Sequence, residues 1–166
     1  MSAVAADTGA PPPALRLTLQ NESLADGLPS RALFRRWAAA AIRAERERAG
    51  ELPVALCLRL VDGVEGRALN RRYRNKDYAT NVLSFASEHL PFMKLKQLGD
   101  IVLCVPVVRR EAKAQGKSIQ AHLAHLTIHG ILHLLGYAHE RPGPARAMER
   151  REVTILASLG YADPYQ

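Results

Sequence analysis

The feature that most constrains this chain is the run Ala121 to His139, AHLAHLTIHGILHLLGYAH, which holds five of its six histidines. Three of them fall in the pattern H-x-x-x-H-x-x-G-x-x-H, at His129, His133 and His139, with Gly136 between the last two. Residues four apart on a helix lie one above the other on one face, so His129 and His133 can aim two imidazoles at one point. Gly136 suits the left-handed conformation that ends a helix, after which the chain can bring His139 in from the side. Two ligands on a helix and a third after a glycine turn leave one coordination position open, which is the layout of a catalytic zinc. His125, four residues before His129, and His122 compete for the third place. The glycine turn favours His139 and leaves His122 and His125 to helix packing or to the surroundings of the metal.

The same spacing occurs in the metzincin proteases, which carry Glu directly after the first His as general base. Here that position is Gly130. The chain therefore reads as a metal site without peptidase equipment, and the proton of a nucleophile is left to metal-bound hydroxide, His125 or His122.

A chain of 166 residues, 48% hydrophobic and 23% charged, has the length and balance of one globular domain. Its 23 Lys and Arg against 16 Asp and Glu leave a net charge of +7, which points to an anionic partner, nucleic acid before membrane. Cys57 and Cys104 each sit in an apolar run and lack thiolate-zinc spacing, so they read as buried free thiols of a cytoplasmic protein. Residues 1–13, rich in Ala, Gly and Pro, are expected to be a disordered tail without the features of a secretory signal, ahead of one domain over 14–166. No run is long enough to span a bilayer.

Leu15, Leu17 and Leu19 alternate with polar residues and mark a first strand. Ser30 caps a helix to about Arg48, with Trp37 as a core anchor and a solvated end from Arg43 onward. VALCLRLV at 54–61 is apolar almost throughout, as a central strand must be. A short helix to about Arg72, a third strand over 80–86, a loop over 88–97 and a fourth strand over 101–105 follow. Helices over 106–115, from Ser118 through the histidines, and over 145–159 complete the chain. The expected fold class is α+β: four strands and their helices in one domain, without the regular alternation of a doubly wound sheet.

A second cluster with chemical potential is Arg71, Arg72, Arg74 and Lys76, with Tyr73 among them. Arginine offers phosphate a planar fork and tyrosine offers bases a stacking face. Thr80, Asn81 and Ser84 either line a cleft or cap the third strand. LNRRYRNKDYATNVLSF (69–85), GDIVLC (99–104), HLTIHGILHLLGYAH (125–139) and LGYADPY (159–165), in this order, resemble the bacterial YbeY family of zinc-dependent endoribonucleases. The resemblance covers roughly residues 50–165.

It implies a small mixed four-stranded sheet with helices packed on it and a zinc cleft beside the histidine helix and its turn, with one zinc ion held by His129, His133 and His139 and Arg74 as the residue implicated in activity. It also implies single-strand-specific cleavage of RNA in small-subunit ribosomal RNA 3′-end maturation and in ribosome quality control, with ribosomal RNA and the small subunit as partners. Arg71, Arg72, Tyr73, Lys76 and His125 are candidate substrate contacts. One departure stands out: the family commonly has Asp before the last histidine, where this chain has Ala138. If that Asp supports a ligand, its loss weakens zinc binding about 10–100-fold. The competing reading is a ribosome-binding assembly factor whose zinc only holds the fold.

Overall fold

The computed structural model describes residues 13–138 and 140–166, so the expected tail, apart from Pro13, and the candidate ligand His139 lie outside the described residues. Four strands and six helices follow in the order β1 (Leu15–Asn21), α1 (Arg31–Ala44), α2 (Arg46–Ala49), β2 (Val54–Val61), α3 (Gly63–Arg74), β3 (Val82–Ala86), β4 (Lys96–Cys104), α4 (Val105–Ala114), α5 (Ile119–Leu134) and α6 (Pro142–Ser158). The sheet order is β1-β2-β4-β3, with β3 antiparallel to β4 at one edge and the other pairs parallel. The expected mixed four-stranded sheet is the one observed, with the apolar β2 inside it.

The two faces of the sheet follow from the alternation of side chains along each strand. Leu56, Leu58 and Leu60 of β2 and Ile101 and Leu103 of β4 face the main core, where they meet Trp37, Ala41, Leu123, Ile128, Ile131 and Ile155 from α1, α5 and α6. Val102 and Cys104 turn to the other face and pack with Val61, Leu83, Leu69 and Ala79 under α3. Helix α5 is buried on nearly every side. It bridges the sheet and α6, which is why its sequence is apolar between the histidines.

Two elements differ from expectation. The first helix breaks at Glu45, whose side chain is buried rather than solvated because Tyr137 and Arg151 both donate to it. Strand β4 starts at Lys96, inside the expected loop. Its polar first residues are recruited by pairing with Val54 and Ala55 of β2, ahead of a register shift opposite Gly99. Gly99 has φ +142, and a Cβ there would lie 2.1 Å from the Phe85 carbonyl oxygen, so the β3–β4 pairing requires glycine.

Candidate active site

Ser118 starts α5, its hydroxyl accepting from the Ala121 N–H at 3.0 Å. Four turns on, the helix ends as the glycine spacing requires. Gly136 (φ +98) donates to the His133 carbonyl at 3.0 Å and Tyr137 to the Leu132 carbonyl at 3.1 Å. This is the paired closure of a Schellman motif. The turn also brings the Tyr137 carbonyl 3.1 Å from Nδ1 of His133. Tyr137 is itself held by Glu45, which its hydroxyl reaches at 2.8 Å, and by the Arg48 guanidinium 3.8 Å from its ring centre.

His129 is fixed from a different direction. Its Nδ1 lies 2.6 Å from Oε1 of Glu152 on α6. A carbonyl and a carboxylate only accept, so Nδ1 is a protonated nitrogen of both rings, and in the neutral ring Nε2 carries the lone pair. That is the form in which imidazole binds a cation. Both histidines keep part of their surface accessible.

The opposite wall comes from one continuous stretch. Helix α3 ends at Arg74 because Asn75 adopts the left-handed conformation, φ 57. The following loop is pinned by Asn70 donating to the Tyr78 carbonyl at 2.7 Å and by the Arg67–Asp77 pair, with bonds of 2.8 and 2.9 Å. Asn81 is set by Glu111 of α4, which accepts from its amide at 2.9 Å and also lies 3.0 Å from Nε2 of His122. The result is a cleft of about 170 Å³ lined by Arg74, Thr80, Asn81, Val82, Ser84, His129 and His133. Thr80, Asn81 and Ser84 thus line the cleft rather than merely capping the strand.

The remaining candidate residues are placed elsewhere. Arg71 and Arg72 line a wider groove of about 670 Å³ on the outer side of α3, with Arg67 and Asp77. Tyr73 stacks edge-on against Phe85, ring centres 5.0 Å apart, over the sheet face that holds Cys57 and Asp100. Lys76 is exposed. His125 turns away from the cleft toward Glu152 and Tyr165. His122 is buried, which pushes its pKa down against the opposing pull of Glu111.

A family model described as endoribonuclease YbeY matches residues 19–160. The chain belongs to the YbeY family. It is 54% identical over 143 residues to endoribonuclease YbeY of Stenotrophomonas maltophilia strain R551-3, a match covering 84% of this chain and 86% of the relative. It is 55% identical over 142 residues to that of Xylella fastidiosa strain 9a5c, covering 83% and 85%. The solution structure of TM1509 from Thermotoga maritima shares the fold, with a TM-score of 0.56 and 20% identity over 91% of this chain and 99% of the other. In this YbeY chain the sequence motif overlooked two groups, Glu152 and Tyr165. The available signal was a carboxylate within the apolar stripe of α6, beside Met148, Ile155 and Leu156.

The chemistry of the donors fits a zinc ion. Two imidazoles presenting Nε2 lone pairs on one helix face, one of them backed by a buried carboxylate, form a donor set suited to zinc.

Proposed function

We propose that this protein is a cytoplasmic, zinc-dependent endoribonuclease that cuts single-stranded RNA, acting in small-subunit ribosomal RNA 3′-end maturation and ribosome quality control. Family membership supports the RNA-cleaving activity. The observation that carries the mechanism is that Arg74 shares one narrow cleft with His129 and His133.

His129 and His133 would hold the metal, with His139 as the third ligand. When bound, zinc supplies a Lewis acid that polarises a phosphoryl oxygen and makes a water nucleophile available near neutral pH. The chain's own residues do the rest. Arg74 offers a planar cation to the scissile phosphate and to the charge that grows on it during the reaction. Thr80, Asn81 and Ser84 supply polar groups around the flanking sugar-phosphate. Glu111 holds the Asn81 amide in place. Arg71, Arg72 and Lys76 lie on the outer side of α3 or on the loop after it, where they attract the strand before and after the cut without touching the reacting atoms. The accessible edges of both histidines beside Arg74 support an enzymatic rather than a purely structural metal.

The test is cleavage of a single-stranded RNA carrying the small-subunit 3′ end. Treatment with a chelator should abolish cutting, and stoichiometric zinc should restore it. Full activity in protein shown to be metal-free would refute the zinc-dependent reading.

A further inference from the structure

Glu152 is wholly buried at the contact of α5 and α6. Its Oε1 takes the Nδ1–H of His129 at 2.6 Å and lies 3.4 Å from Nε2 of His125, while its Oε2 takes the hydroxyl of Tyr165. The Tyr165 oxygen, whose O–H is donated to Glu152, lies 3.2 Å from His125 Nε2 and is an acceptor there. Tyr165 comes from the segment that follows α6. That segment is tied back by Lys117 Nζ donating to the Pro164 carbonyl at 3.1 Å and by Trp37 Nε1 donating to the Tyr161 hydroxyl at 3.1 Å.

Two features separate this arrangement from a simple staple between helices. First, the described partners of the carboxylate are two imidazoles and a phenol, none of them an arginine or lysine. A buried carboxylate is costly unless it is hydrogen-bonded and faced by positive charge. A divalent ion on the far side of the His129 ring would offset that cost. Second, an acceptor-only group at Nδ1 leaves His129 one neutral tautomer, the one whose Nε2 can bind metal.

We infer that Glu152, braced by Tyr165, is a positioning residue that sets the tautomer and ring direction of His129 for the metal in the cleft. This rests on reading the cleft as a metal site. It adds a dependence of that site on the segment that follows α6, through one phenol hydroxyl.

The experiment uses full-length protein and two readouts that need no RNA. One is the tautomer of His129 in zinc-stripped protein, from long-range nitrogen–proton NMR. The other is zinc affinity, from competition with a chromophoric chelator. Wild-type protein should show a single Nδ1–H tautomer. Glu152→Ala should show Nε2–H appearing and zinc affinity falling about 10–100-fold. Glu152→Gln, which keeps shape and an acceptor but not charge, should hold the tautomer and fall between the two, and Tyr165→Phe should also lose affinity.

Wild-type affinity in both Glu152 variants would overturn the inference, as would an Nε2–H tautomer in the wild type. If the alanine variant does not fold, the wild-type and glutamine proteins decide by the same criteria. A wild type that binds zinc, keeps this order and cuts no RNA overturns the nuclease reading and leaves the positioning role standing. A wild type that binds no zinc overturns both.

Discussion

A Cβ placed on Gly130 would lie 2.9 Å from Cδ1 of Ile101, with two further Ile101 carbons at 3.1 and 3.2 Å. Gly130 directly follows His129, at the position where a metzincin carries its catalytic glutamate. Here that position faces β4 inside the core, so the helix approaches the sheet too closely to admit a carboxylate. The missing general base is thus a consequence of packing, and the site has to obtain its proton acceptor elsewhere.

Gly130→Ala sets two effects against each other. Alanine favours a helix by about 1 kcal/mol over glycine, whereas overpacking a filled core costs about 1–3 kcal/mol. Ile101 is fully buried and in contact through three atoms, so overpacking should win. We expect a net loss of roughly 1 kcal/mol, or about 2–4 °C in Tm for a chain of this size. Ile101→Val, which removes Cδ1, should recover part of it in the double variant. Calorimetry of the four proteins of the cycle checks this, and a more stable Gly130→Ala protein would contradict it.

Arg74 and Arg71 are three residues apart on α3 yet line different cavities. Arg74→Ala should lower the single-turnover cleavage rate about 100–1,000-fold, the usual cost of removing a donor to developing charge. Zinc content and Tm should not change. Arg71→Ala should leave that rate intact and instead weaken RNA binding, with a shallower salt dependence. Equal effects of the two variants on the single-turnover rate would refute the assignment of Arg74 to the cleft chemistry.

His122 gives a pH dependence with a definite sign. Burial holds its pKa below the usual value, with the neighbouring His125 and Lys117 acting in the same direction and Glu111 against them. The unfolded chain, with an ordinary histidine pKa near 6.5, therefore binds a proton that the folded chain resists. This penalty is absent above about pH 7 and grows as the pH falls below the unfolded value. Urea unfolding of metal-free protein between about pH 7 and pH 5 should show a steeper loss of stability in wild type than in His122→Gln. Parallel curves for the two proteins would contradict the assignment.

Much of this architecture is legible in the sequence because it rests on local periodicity. The alternation of Leu15, Leu17 and Leu19, the apolar run of β2 and the serines at 30 and 118 each act within a few residues. The pairing of His129 with His133 is equally local, since one helical turn brings them together. What escapes is non-local. Glu45 looks like part of a solvated charged end until Tyr137 and Arg151 arrive from elsewhere in the chain. Lys96 and Gln97 become strand only through pairing with Val54 and Ala55 of β2, and Gly99 through pairing with Leu56 on one side and Ala86 on the other. Glu152 has helix-packing spacing in sequence, and only the α5–α6 contact turns its carboxylate toward His129. Arg74 is one of a basic cluster in the sequence and only the family resemblance sets it apart there, while the left-handed Asn75 and the pinned loop after it explain how it comes to line the cleft.

The most direct test of the account pairs zinc content with RNA cleavage in wild type and His133→Ala. His133 Nδ1 lies 3.1 Å from the Tyr137 carbonyl, whereas it is His129 that pairs with Glu152, so the substitution removes one metal ligand and leaves the His129–Glu152 pair in place. We predict one zinc per wild-type chain, and a His133→Ala protein that is folded, retains no zinc at equal concentrations and cuts no single-stranded RNA. A His133→Ala protein that cleaves RNA at the wild-type rate would contradict the account.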